Sequence, residues 1–315
     1  MKPAEGSDSP PDPYAEPMRL LVRGDAETGL GLYRDALKAG GLPKAPVGMH
    51  LLFLNRAGRT AEAALLRAMA LREGADLSMR AAGFGTSPAE AVSEYRKLIA
   101  SGTANSRMVW EYLVQLSLLG ESEEVAAILS PDALLRKVAL GVDAEAVAEL
   151  LLREEARGTY QESVDSVRGM TKVKRLHLLP DPVVAPLVST LREETLRYSE
   201  DWRALGHPLS HLVPGRFDMH VWGLISRGEG YNIRHIHHRG WVTGIYYPLG
   251  VPGDEPGGEL RIGCPARLGD TSPGWPDAEV RPEPGVLVLM PSFYTHWTVP
   301  LGRPGLRMSV AFDLS

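Results

Sequence analysis

Cysteine is almost missing from this 315-residue chain: Cys264 stands alone. A single thiol closes no intrachain disulfide, so the fold is no disulfide scaffold, and such usage fits a reducing compartment. Excess positive charge is missing too. Lys and Arg number 34 against 39 Asp and Glu, a formal net charge of -5, which leaves no basic footprint for nucleic acid. No stretch approaches the roughly eighteen uninterrupted apolar residues that a membrane span requires. The opening MKPAEGSDSPPDPYAEP lacks an apolar core region and does not read as a secretory signal. The expectation is a cytoplasmic protein with no nucleic-acid or membrane partner. Residues 1–16 are predicted to be a disordered tail, because they offer almost nothing to bury. A glycine-rich phosphate loop followed by lysine is absent, since G-T-S-P-A-E-A (85–91) opens a helix without one. A G-x-S-x-G nucleophile elbow is absent as well.

What is present divides into two halves. Hydrophobic residues at 44% and charged residues at 23% are ordinary for a folded chain, and the length allows two domains. Residues 17–157 have helical periodicity and are rich in Ala, Leu, Glu and Arg. Residues 50–71 read as two short helices joined at Gly58, and 110–129 repeat that layout around Gly120. Between them, 87–99 begins with a serine cap and a proline at the first helical position. Aligning Ala63, Ala91 and Val125 gives irregular hairpin repeats similar to tetratricopeptide-type repeats, with a plain helical bundle as the alternative. Each such hairpin leaves an apolar face that a neighbour must cover.

Residues 158–315 have a different character. K-V-K-R-L-H-L-L-P (172–180) alternates like a strand, and 181–198 reads as an amphipathic helix. Beyond Arg216 come short apolar runs at 219–225, 241–247, 258–263, 285–290 and 306–313, separated by glycine and proline. That spacing predicts a β-sandwich or barrel. The expected class is α+β: an all-α helical-repeat domain followed by a β-sandwich or barrel domain.

Three of the nine histidines fall within R-H-I-H-H-R-G-W (234–241). On a strand His235 and His237 project to one side and Ile236 to the other, the spacing by which a barrel offers two imidazoles to one metal. His296, in P-S-F-Y-T-H-W (291–297), is the candidate third ligand, and His238 should point away. On the closing strand Arg307 and Ser309 share a face, opposite Met308, Val310 and Phe312. A guanidinium turned into the barrel is costly unless an anion meets it, and its planar fork suits a carboxylate.

The order H-I-H (235–237), G-I-Y-Y-P (244–248), G-V-L-V-L-M-P-S (285–292), His296 and R-M-S-V-A-F-D (307–313) resembles the iron(II)- and 2-oxoglutarate-dependent oxygenases over roughly residues 215–315. The resemblance implies a double-stranded β-helix, with His235 and His296 as iron ligands. It further implies that Arg307 and Ser309 hold the distal carboxylate of 2-oxoglutarate. His237 stands where most of the superfamily has aspartate or glutamate. There it completes a three-histidine site or swings aside for water. Of Tyr246 and Tyr247, on opposite faces of one strand, one enters the barrel. Tyr246 is assigned to the co-substrate, as a phenol donor to its carboxylate, with core filling as the alternative.

The function implied is an oxygenase that uses Fe(II), 2-oxoglutarate and dioxygen to hydroxylate an amino-acid side chain in a peptide or protein. A small molecule is the other substrate class. Two further readings are a cupin-like metalloenzyme of different chemistry, and a helical-repeat binding protein above a degenerate barrel. The first leaves Arg307 without a purpose, and the second needs no metal. The oxygenase reading requires His235 within a nanometre of His296 and the Arg307 head group out of solvent.

Overall fold

The structure is a computed structural model. It describes residues 13–17, 20, 26–43, 47, 50, 54, 59–72, 87–158, 160–162, 166–238, 240–251 and 256–314. The chain divides into two compact units, Met1–Thr86 and Ser87–Ser315.

In the first unit, helix α1 (Ala26–Lys38) packs against α2 (Thr60–Arg72). Leu30, Tyr33, Leu37, Leu66 and Met69 form its core. Arg34 ties the two helices by an ion pair to Glu62, 2.6 Å from Nη2 to Oε1. Residues 1–12 of the predicted tail lie outside the described residues. Tyr14, also assigned to that tail, is fully buried, its ring centroid 5.0 Å from that of Tyr33 and its hydroxyl donating to Gly41 O at 2.6 Å. One aromatic side chain supplies enough apolar area to anchor a segment that is otherwise polar. The hinge predicted at Gly58 lies outside the described residues.

The second unit begins with α3 (Pro88–Ala100) and α4 (Ser106–Leu119), packed as a hairpin. Ser87 caps α3 in a reciprocal capping box with Glu90, and Pro88 takes the first helical position. Gly120 ends α4 in the left-handed conformation, φ 78°, where a side chain would be strained. The following helices, α5 (Ser122–Ile128) and α6 (Pro131–Leu134), are short and lead into a strand, β1 (Arg136–Ala139), rather than another hairpin. Next comes α7 (Ala144–Ala156), capped by Asp143, whose side chain accepts from Ala146 N.

Among the described residues, nine more strands follow: β2 (Tyr160–Glu162), β3 (Val167–Val173), β4 (Met219–Asn232), β5 (Val242–Leu249), β6 (Leu260–Ile262), β7 (Ala278–Val280), β8 (Val286–Pro291), β9 (His296–Thr298) and β10 (Leu306–Leu314). Helix α8 (Val184–Ala204) lies between β3 and β4 and buries Val184, Leu187, Leu191, Tyr198 and Trp202, one helical face. The strand predicted over 172–180 is confined to its first residues. The chain turns at Arg175, φ 52°, into a short 3₁₀ turn at Leu176–Leu178.

The larger sheet has the order β1-β8-β5-β10-β4-β3-β2 and the smaller β7-β6-β9, every pair antiparallel. His235 extends the smaller sheet by an isolated bridge to His296. From β4 onward the chain passes back and forth between the two sheets, the winding that a double-stranded β-helix requires.

The boundary between compact units therefore falls at Ser87, where the sequence reading placed a domain boundary at 157/158. Two contacts explain the difference. Strand β1, inside the segment read as helical, is hydrogen-bonded to β8 at the edge of the larger sheet. Helix α7 lies on β3, β4 and β5. A Cβ added to Gly223 of β4 would come within 2.3 Å of Leu151 Cδ2 of that helix. The helix buries Val147, Leu150 and Leu151 on the sheet rather than on another hairpin.

Candidate active site

A cavity of about 570 Å³ opens on the inner face of the larger sheet. Strand alternation places Arg307, Ser309, Ala311 and Asp313 of β10 along its wall, with Trp222 and Leu224 of β4 and Met170 and Lys172 of β3 beside them. The opposite face of β10 buries Met308, Val310 and Phe312 completely or nearly so.

His235, His237 and His296 converge at one end of this cavity. One ring nitrogen from each lies within 4.8 Å of the others. The His235 and His296 ring centroids are 4.3 Å apart, and the Nε2 atoms of His235 and His237 are 3.1 Å apart. Main-chain bonds set this approach: His235 N donates to His296 O and His296 N to His235 O, each at 3.0 Å. The Nδ1 atoms are engaged behind the cluster. His235 Nδ1 donates to Ile233 O at 2.8 Å and His296 Nδ1 to Tyr294 O at 2.9 Å. His237 Nδ1 donates to Asp313 Oδ1 at 2.5 Å. With Nδ1 protonated in each ring, three Nε2 lone pairs face one point, the tautomer a metal needs.

Burial is the main cause that lowers the pKa of His235, to about 3, with the neighbouring His237 adding to it. The same two kinds of cause, burial first and then His235 and His237, hold His296 well below the usual imidazole value. Both rings are neutral at physiological pH and ready to ligate. The sign for stability follows. Below about pH 6.5 the unfolded chain takes up protons that these folded histidines refuse, so stability is complete above that value and lost as pH falls toward 3. The melting temperature of chelator-treated protein should therefore fall from pH 7 to pH 5, before most carboxylates titrate. A flat profile by circular dichroism over that range would contradict this burial of neutral imidazoles.

Arg307 lies farther along the wall and is 3% exposed. Among the described residues its hydrogen-bond partners are all neutral. Nη1 donates to Gly258 O at 2.9 Å and Val299 O at 3.3 Å, and Nη2 to Thr298 Oγ1 at 3.1 Å. Burial lowers its pKa, with Tyr247 and Glu259 opposing. A guanidinium held this way has the chemistry to bind an anion. Ser309 lines the same cavity, as does Asn232, whose Oδ1 is buried without a hydrogen-bond partner among the described residues.

Tyr246 requires a correction. Tyr247, not Tyr246, lines the cavity. The Tyr246 hydroxyl is buried without a partner among the described residues and feels the charge of Asp143, the cap of α7. Sequence alternation separates the two rings onto opposite faces but does not say which face is inside. Replacement Tyr246→Phe should leave the KM for 2-oxoglutarate unchanged. It should not destabilise the fold, since it removes an unpaired buried hydroxyl. A raised KM in steady-state assays would return Tyr246 to the site.

Asp313 and Lys172 also line the cavity, without a sequence motif that marks them. Asp313 continues the Arg307, Ser309, Ala311 alternation, which was the available signal. The position of Lys172, its Nζ 4.8 Å from the Trp222 ring centroid, depends on pairing between β3 and β4. Cys264 is buried, which raises its pKa, and plays no part in the cluster.

An antiparallel two-sheet domain with three imidazoles converging near a buried arginine defines a candidate non-haem metal site. Imidazole donors suit iron as well as zinc, copper or nickel. Residues 220–313, which contain all three histidines, Arg307 and Ser309, match the family model described as "Putative 2OG-Fe(II) oxygenase". Over these residues the chain matches a 2-oxoglutarate- and iron(II)-dependent oxygenase, with iron(II) as metal and 2-oxoglutarate as co-substrate.

No curated protein matches the chain. Among solved structures it is similar to a Pseudomonas putida prolyl-4-hydroxylase, at 18% identity over 60% of this chain and 97% of that one, TM-score 0.43. It is also similar to a Trichoplax adhaerens prolyl hydroxylase solved with a hypoxia inducible factor peptide fragment, at 15% identity, 62% and 91% coverage and TM-score 0.44. A third is HygX from Streptomyces hygroscopicus with nickel, 2-oxoglutarate and hygromycin B bound, at 14% identity, 59% and 84% coverage and TM-score 0.40. Among the described residues, no helix is long and apolar enough to cross a membrane.

Proposed function

We propose that this chain hydroxylates an amino-acid side chain in a peptide or protein. His235, His237 and His296 hold the iron, and Arg307 with Ser309 holds the distal carboxylate of 2-oxoglutarate. The observation that carries the assignment is the meeting, in one cavity, of three Nε2 lone pairs and a buried guanidinium whose partners are neutral. An anion at Arg307 offsets the cost of burying that charge. A dianion with one carboxylate there has its other end free to reach the histidines.

When bound, iron(II) and 2-oxoglutarate supply dioxygen activation coupled to oxidative decarboxylation of 2-oxoglutarate to succinate and carbon dioxide. The residues around them bind, orient and exclude water. Leu224, Ile245 and Leu260 form apolar wall between the two polar ends. Trp222 stacks on His237, ring planes 26° apart and centroids 5.7 Å apart, and limits its rotation. Ser309 adds a hydroxyl donor beside Arg307 for the same carboxylate.

A peptide or protein substrate is supported by the helical part of the chain. Helical hairpins as a class offer surfaces to extended or helical segments, and α3 and α4 pack as one such hairpin. The test has two stages. Protein loaded anaerobically with iron(II) and 2-oxoglutarate should develop a weak visible charge-transfer band and form succinate on exposure to air. A peptide library should then yield a product heavier by one oxygen atom. Failure of the first stage sinks the cofactor assignment. Success there, with oxidation of small molecules and no peptide, sinks the substrate class alone.

A further inference from the structure

The common non-haem iron site of two histidines and a carboxylate cancels one of iron's positive charges with its third ligand, and an imidazole in that place does not. Asp313 lies directly behind that imidazole. Its Oδ1 accepts from His237 Nδ1 at 2.5 Å and from Thr243 Oγ1 at 3.0 Å, and the Thr243 hydroxyl is 2.8 Å from that of Ser292. Asp313 is not one of the three residues whose donor atoms converge. Backbone register fixes both partners: Asp313 pairs with Thr243 across β10 and β5, and His237 N donates to Ser292 O.

We infer that Asp313 is a positioning residue that supplies, through His237, the negative charge that a carboxylate ligand would give the metal directly. The idea rests on the three histidines being the metal site. Two observations separate it from ordinary packing. The carboxylate meets the one histidine of the three that stands at the carboxylate position, whereas His235 and His296 are held by neutral carbonyls. Its accepting oxygen is also fixed by a second donor, Thr243, so the charge cannot swing away. A carboxylate hydrogen-bonded to a ligating imidazole fixes its tautomer and strengthens it as a donor.

The test uses cobalt(II) alone as probe, titrated into the full-length protein by calorimetry and visible absorption. Asp313→Asn keeps the shape and an acceptor oxygen but removes the charge. It should weaken cobalt(II) affinity by about ten- to a hundredfold. In a His237→Asp background a carboxylate is again a direct ligand and Asp313 becomes a like charge behind it. There the same Asp313→Asn change should leave affinity equal or raise it. Loss of similar size in both backgrounds overturns the inference, because a structural role for Asp313 does not depend on the ligand in front of it. Unchanged affinity for Asp313→Asn in the parent protein overturns it too. Absence of cobalt(II) binding by the parent protein fails the three-histidine site itself.

If His237→Asp does not fold by circular dichroism, imidazole ¹⁵N spectra of zinc-loaded parent and Asp313→Asn proteins decide. A strongly hydrogen-bonded proton on His237 Nδ1 that weakens in the variant supports the inference, and identical spectra overturn it.

Discussion

His296→Ala should abolish 2-oxoglutarate turnover and lower metal affinity by more than about a hundredfold, beyond what loss of an outer partner of a ligand costs. The imidazole is almost fully buried at the meeting point of the cluster. Its removal leaves His235 and His237, which cannot hold the ion with comparable affinity. The fold should survive, because the bridge between residues 235 and 296 is made by main-chain atoms that alanine retains. Cobalt(II) titration, succinate production and thermal melting together check this. Retained turnover with folded protein would remove His296 from the site.

Arg307→Gln should act differently. Two charge-assisted hydrogen bonds to a carboxylate are worth roughly 3 kcal/mol together, about a hundredfold in affinity. The KM for 2-oxoglutarate should rise by about that factor, while cobalt(II) affinity in its absence stays within about a factor of three. The split is the informative part. Arg307 also donates to Gly258 O, Val299 O and Thr298 Oγ1, so a purely structural arginine would, when replaced, loosen the smaller sheet and weaken metal and co-substrate binding alike. Parallel loss of both affinities would assign Arg307 that structural role.

Part of the site could be read from sequence because it depends on local rules. Period-two alternation separates Arg307 and Ser309 from Met308, Val310 and Phe312. Residues 233–238, however, hold an isolated bridge rather than a regular strand, and Ile236 and His238, expected to point away, line the same cavity as His235 and His237. Five apolar runs fell on β4, β5, β6, β8 and β10. Most of β3 precedes the strand expected over 172–180, and the other strands not anticipated, β1, β2, β7 and β9, are three or four residues long. At that length apolar periodicity does not separate strand from loop or helix.

Sequence by itself determined the α+β class, the order of the metal-site motifs and the residue types that could ligate or clamp, since each follows from neighbours a few positions apart. Tertiary structure alone decided that β1 and α7 serve the sheet, that Tyr247 rather than Tyr246 faces the cavity, and that Asp313 stands behind His237. Those facts depend on pairings between residues such as 136 and 289, or 237 and 313. Which faces meet across such separations is set by how the whole chain buries its apolar surface, and no local pattern records it.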